Sequence, residues 1–314
     1  MVRVTPMTMK YLFFFIGLTM MSLQAQEVPK VVSGTLERLA DFPSQYVTAR
    51  HVDVWLPEGY TEAKKYSVLY MHDGQMLYDP NTTWNKQAWE VDNLLSELAL
   101  TGKIQDCIVV GVWNGGVTRH VDYFPQKPFE QLTARQQDSL YQVNRPNGNS
   151  VFQNQRVQSD KYLKFLVKEL KPYIDRHYAV YTDAAYTFIA GSSMGGLISM
   201  YALCEYPKVF GGAACLSTHW PGVFSMENNP IPAQFIAYLQ KHLPKANSRK
   251  IYFDFGTATL DALYEPVQRQ VDAVMRAKGW NESHWITRKF EGEDHSELAW
   301  QKRLAIPVQF LLGR

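Results

Sequence analysis

The sequence predicts an α/β fold, a mostly parallel central sheet flanked by helices, on three observations. Short apolar runs rich in β-branched and aromatic residues alternate along the chain with longer helical patterns. Most of those runs are apolar throughout rather than alternating, as strands buried on both faces require. The 314 residues are 46% hydrophobic and 20% charged, enough to cover a sheet on both sides.

The chain opens with a segment that the fold does not need. Arg3 and Lys10 precede the uncharged apolar run 11–23 (YLFFFIGLTMMSL), and Ala25 follows as a small residue at a cleavage point. This reads as a secretory signal peptide over 1–25, with export to the periplasm or the exterior expected. The run is too short for the roughly 20 residues of a membrane span, so no stable membrane insertion is expected. Without the leader the chain loses Arg3 and Lys10, and with them its formal excess of +2. Residues 26–314 carry no linker, repeat or low-complexity tract, so one domain is expected there. They also lack any basic patch interleaved with aromatics, which argues against nucleic acid as a partner.

The elements follow in order. Residues 49–56 alternate like a strand with one wet face, and 67–71, 107–112, 186–190, 212–216 and 251–255 read as buried central strands. The run 285–290 (WITRKF) reads as the last strand. Helical patterns occupy 91–100, 160–176, 197–205 and 264–278. Two polar stretches interrupt the alternation, 114–158 and 219–232, and loops of that length border ligand sites at the carboxyl ends of parallel strands. Cys107, Cys204 and Cys215 each sit in an apolar run and read as small buried hydrophobes.

The chemistry centres on Gly191-Ser192-Ser193-Met194-Gly195, a G-x-S-x-G match lying between the strand YTFIA and the helical LISMYALCEY. A strand–turn–helix of this kind is a nucleophile elbow, the mark of the α/β-hydrolase fold. The turn is so tight that positions two before and two after the nucleophile must be nearly free of side chain, which selects Ser193 over Ser192. A serine hydroxyl needs a base, and in this fold the chain order is serine, acid, histidine. His219, His242, His284 and His295 follow Ser193, and His295, in the glycine-containing turn after WITRKF, is the candidate base. Asp261, shortly past the strand IYFDF, is the candidate acid, with an N-cap role as its alternative; Asp254 and Glu265 lie nearby. Oxyanion donors are expected from the backbone N–H of Met194 and from the loop after SVLYM, at Gln75 with Gly74 close behind. His72 and Asp73 make two adjacent ligands without a third, so neither a metal nor a cofactor is expected. Trp84 and Trp220, with Trp89, are candidates for an aromatic wall around a sugar or aryl group.

The blocks LYMHDGQMLYDP, IVVGVWNGG, the R-x-x-D-Y segment beginning at Arg119, YLKFLVKELKPYID, GSSMGG and EGEDHSELAW fall in an order that resembles the esterase D-like "putative esterase" family. The resemblance runs from about residue 50 to residue 303. It implies a serine carboxylic-ester hydrolase with Ser193 as nucleophile, His295 as base and oxyanion donors at Met194 and near Gln75. Ala258 and Thr259 stand where many relatives carry the acid, so Asp261 comes late in its loop and a Ser–His dyad stays open. The family includes feruloyl and acetyl-xylan esterases, enterochelin esterases and some acyltransferases. Export and an aromatic wall favour acyl esters of carbohydrate, of the feruloyl or acetyl-xylan type, with a siderophore trilactone or acyl transfer to another hydroxyl as alternatives. A silent binding protein on the same scaffold is the rival from another class.

Overall fold

The structure, a computed structural model, describes residues 27–145 and 147–314; the expected leader over 1–25 lies outside the described residues. An eight-stranded sheet runs β1 (Thr35–Phe42), β2 (Arg50–Leu56), β4 (Cys107–Val112), β3 (Ser67–His72), β5 (Thr187–Ser192), β6 (Gly212–Leu216), β7 (Lys250–Gly256) and β8 (Trp285–Phe290) from edge to edge. From β4 to β8 every neighbouring pair is parallel, while β2 lies antiparallel to β4 and β1 antiparallel to β2.

The apolar runs sit where their composition demands. β3, β4, β5 and β6 are buried along their whole length. Their side chains alternate between two cores: Val68 and Tyr70 join one, Leu69 and Met71 the other. The first core packs under the helix Met194–Glu205 and the aromatic cluster of Tyr123, Phe124 and Phe152. The second is closed by Trp300, Val308 and Leu311 of the C-terminal helices Glu297–Arg303 and Ala305–Leu312 and by Leu304 between them. All three cysteines are free and buried, and burial pushes the Cys107 thiol up to about 12.

Three departures have local causes. Strand β1 was not expected, because TLERLADF is an exposed or half-buried edge for nearly all its length and carries little apolar signal. The helical pattern 160–176 is broken into Ser159–Lys164 and Lys171–His177 by a π-helical turn, Phe165–Leu170. Pro172, at the start of the second piece, has no N–H to continue an α ladder, which a π turn accommodates. Within the polar stretch 114–158, the insertion 126–155 is not an open loop. It folds into Gln126–Glu130 and Ala134–Tyr141, the latter started by a Thr133–Gln136 capping box. It then buries Phe129, Leu132, Leu140, Val151 and Phe152 against the body. Among the described residues no helix is long and apolar enough to cross a membrane.

Candidate active site

The carboxyl ends of β3, β5, β6, β7 and β8 surround a cavity of 670 Å³ lined by Ser193, His295, Gln75 and Met194 among others. Ser193 stands between the end of β5 and the first residue of the helix Met194–Glu205, with φ 58° and ψ −122°. A non-glycine residue holds such a backbone only where its surroundings over-determine it. Here the Ser193 N–H donates to Leu216 O at 2.9 Å, and the Ser193 carbonyl accepts from Leu197 N–H at 3.1 Å and His219 N–H at 3.2 Å. The flanking glycine is forced: a Cβ on Gly191 would lie 2.8 Å from the carbonyl carbon of Gly195.

His295 follows β8 in the turn anticipated from the sequence, and its Nδ1 lies 2.5 Å from Asp261 Oδ1. Asp261 is fully buried. Its other oxygen accepts the Gly256 N–H at 2.6 Å and the Ser217 hydroxyl at 2.5 Å. That hydroxyl in turn accepts from Trp300 Nε1 at 2.9 Å and from Arg303 at 2.8 Å. Arg303 reaches Asp254 at 3.0 Å, so a buried chain of donors ends on the carboxylate facing His295. Hydrogen bonds of this kind satisfy the acceptor positions of a buried carboxylate and fix its orientation. Asp261 therefore does not serve as an N-cap. It lies inside the 3-10 turn Thr259–Leu263, and the helix that follows begins at Glu265.

The acid and histidine loops are laced together. Thr257 and Ala258 N–H groups both donate to Glu293 O at 3.1 Å, and the His295 N–H donates to Thr259 Oγ1 at 3.0 Å. A Cβ on Gly256 would meet Glu293 O at 2.1 Å, so only glycine allows the two loops to close. This lacing explains why the carboxylate comes late: Ala258 and Thr259 hold the histidine loop, and the chain turns once more before Asp261 reaches the imidazole.

Across the cavity, Gln75 lies in the 3-10 turn Gly74–Met76 and Met194 is the first residue of its helix. N–H groups at such positions have no intrahelical acceptor and are free for a ligand. The 3-10 turn is anchored by Asp73 at its N-terminus, which has left-handed backbone angles and accepts two bonds from Arg119, at 2.6 and 2.7 Å, and one from Asn114 at 2.7 Å. Burial pushes the Asp73 carboxyl up, but the Arg119 charge and these hydrogen bonds outweigh it and leave the group below its ordinary value. His72 turns the other way: its Nδ1 meets the Tyr162 hydroxyl at 2.8 Å, and burial pulls it down to about 3. The two side chains thus diverge, and among the described residues no group of three metal-ligating side chains forms.

Of the expected aromatic wall, Trp84 and Trp89 line the cavity, Trp84 at 84% exposure. Trp220 does not. It is completely buried, packed against Phe253, with its indole N–H donating to Gln268 Oε1 at 2.8 Å. Enclosed on every side and absent from the cavity lining, it is a core residue. Trp300 lines the cavity instead, tilted against Trp89 with ring centroids 5.6 Å apart and T-shaped to His295 at 5.0 Å. His219, one of the four histidines downstream of Ser193, pairs with Tyr264, which the sequence does not single out. The His219 Nδ1 meets the Tyr264 hydroxyl at 2.8 Å, and the Tyr264 ring lies edge-to-face with His295, 5.9 Å between centroids. Burial, aided by the neighbouring His295, pulls His219 well below its ordinary value.

Solved structures share this architecture. A ferulic acid esterase superposes with TM-score 0.60 at 19% identity, over 88% of this chain and 98% of that one. The enterochelin esterase of Shigella flexneri superposes with TM-score 0.63 at 15% identity, over 91% of this chain and 59% of that one. In sequence, the uncharacterized protein YbbA of Bacillus subtilis is 24% identical over 84% of this chain and 93% of its own length. Carboxylesterase SOBER1 of Arabidopsis thaliana is 33% identical over 32% of this chain. The alignments span 60% of the length of Bacillus subtilis YjcH and 43% of SOBER1. The family described as "Putative esterase" matches residues 45–310, and the chain belongs to that esterase family.

Proposed function

We propose that the protein is an exported serine carboxylic-ester hydrolase in which Ser193, His295 and Asp261 form a catalytic triad. The observation that carries this reading is the 2.5 Å contact between His295 Nδ1 and the fully buried Asp261, made in the cavity that also holds Ser193 at its strained turn. Asp261 fixes the imidazole with Nε2 free to take the Ser193 proton. The alkoxide attacks the ester carbonyl, and the developing oxyanion is met by the N–H groups of Met194 and Gln75. His295 then gives its proton to the leaving alcohol, and water deacylates Ser193 by the same route in reverse.

The substrate class we infer is an acyl ester of a carbohydrate, of the feruloyl or acetyl-xylan type. Trp84, Trp89 and Trp300 support it as an aromatic wall beside the reacting centre. Export rests on the leader pattern in residues 1–25. Ser193→Ala should lower kcat by at least about 10³-fold and abolish labelling by a fluorophosphonate, while the unmodified protein labels. Labelling of the alanine variant at the same rate would defeat the assignment.

A further inference from the structure

At one end of the cavity three polar nitrogens have no partner among the described residues. Arg145, next to the Asn144–Ser150 bridge, lines the cavity, and its buried Nε–H finds no acceptor among the described residues. Its guanidinium lies over the Phe224 ring, 5.3 Å from the centroid, and among the described residues it has no carboxylate in ion-pair reach. His120 and His219 line the same cavity, are each more than nine-tenths buried, and each leaves Nε2 unpartnered. Burial, with the charges of Arg145 and Arg119 added, pulls both imidazoles down, His120 to about 3. Arg145, His120 and His219 thus share one end of the cavity, and burial disfavours the charged form of both imidazoles.

The carboxylates of the cavity are placed elsewhere. Asp73 is held by Arg119 through two hydrogen bonds, and Glu297, two residues beyond His295, accepts from Asn85 at 2.7 Å. A guanidinium partly withdrawn from water without an anion is unfavourable, and an arriving carboxylate offers it a planar, charge-assisted pair. The neutral imidazoles add polar atoms for a neighbouring hydroxyl without a competing charge.

We propose that Arg145 anchors a carboxylate carried by the ester substrate, so that this enzyme prefers anionic esters. The inference rests on the serine-esterase reading and narrows it. It is tested on the whole protein with two matched pairs: mono-4-nitrophenyl succinate against 4-nitrophenyl valerate, and 4-(acetoxymethyl)benzoate against benzyl acetate. The pairs place the carboxylate on the acyl and on the alcohol side respectively. In at least one pair kcat/KM should favour the anionic member by about tenfold or more, and Arg145→Gln should bring that ratio to about one. Ratios near one in both pairs, or a preference that survives Arg145→Gln, would overturn the proposal. Because each ratio is taken on a single protein, a general loss of folding does not imitate the result. Ser193→Ala measured beside them separates the two ideas. Persistent hydrolysis in that variant removes the underlying esterase reading, whereas Ser193-dependent hydrolysis without charge preference removes only the role of Arg145.

Discussion

The Ser217 hydroxyl donates to Asp261 Oδ2 at 2.5 Å, from the end of β6 to the acid beyond β7. It joins the proposed triad to a buried pair, Arg303 and Asp254, that never touches the cavity. Ser217→Ala should leave Arg303 and Trp300 each one acceptor short and cost about 1–3 kcal/mol of stability. Its kcat should fall by roughly tenfold, with KM little changed, since the residue only positions Asp261. Asp261→Asn should fall much further, by about 10³- to 10⁴-fold. Steady-state kinetics and thermal melts of both variants check the ranking; equal losses would contradict it.

Arg119 holds Asp73 with two parallel bonds, and through it the turn that presents the Gln75 N–H. Lysine keeps the charge and loses the fork, so Arg119→Lys should lower kcat by about tenfold while leaving the fold intact. Asp73→Asn, which strips the charge from the partner instead, should produce a similar loss. Unchanged turnover in both would mean that the turn is held by its backbone alone.

Trp84 and Trp220 should separate cleanly. Trp84 is 84% exposed at the cavity wall, so Trp84→Ala should raise KM for aryl esters several-fold and shift stability by no more than about 0.5 kcal/mol. Trp220→Ala should cost about 3–5 kcal/mol through the cavity it opens and the Gln268 acceptor it strands. Melting curves and KM values, measured on both variants, test the contrast.

Stability should fall as the medium is acidified from about pH 6.5 toward 3. His72 and His120 are each pulled by burial to about 3, below the 6.5 of an unfolded histidine. In that window the unfolded chain takes up protons that the native one refuses, so native stability is complete above 6.5 and drains away below it. Each imidazole contributes about 1.4 kcal/mol per pH unit across the window. His120→Phe, which keeps a ring against Phe124 and Phe152, should make the decline shallower. A melting profile with the same slope in both proteins would refute the linkage.

What was legible in the sequence follows the range of the forces involved. Strands β3 to β7 announce themselves because burial on both faces needs an unbroken apolar run, and the turn at Ser193 because its glycines are required within two residues. The strand β1 was hidden because an exposed edge leaves little apolar mark. Ser217, Arg303 and Tyr264 were hidden for another reason: each matters through a partner far away in the chain, and none belongs to a local pattern. Trp220 misled because residue type and loop position say nothing about which way an indole points. Phe129 and Phe152 were likewise lost in a stretch whose average polarity is high although its few large rings are buried.

The folding of 126–155 onto the body has a consequence for engineering. Ser193, Asp261 and His295 hang from the sheet, whereas Arg145 reaches the cavity on a separate piece of chain fastened by its own aromatic plug. Such a piece is exchangeable. A graft from a relative could re-specify which ester enters while the reacting atoms stay put, provided it brings side chains that fill the sockets of Phe129 and Phe152 beside Phe124. A graft matched only for length would leave those sockets empty, and the transplanted segment would come loose before it selected anything.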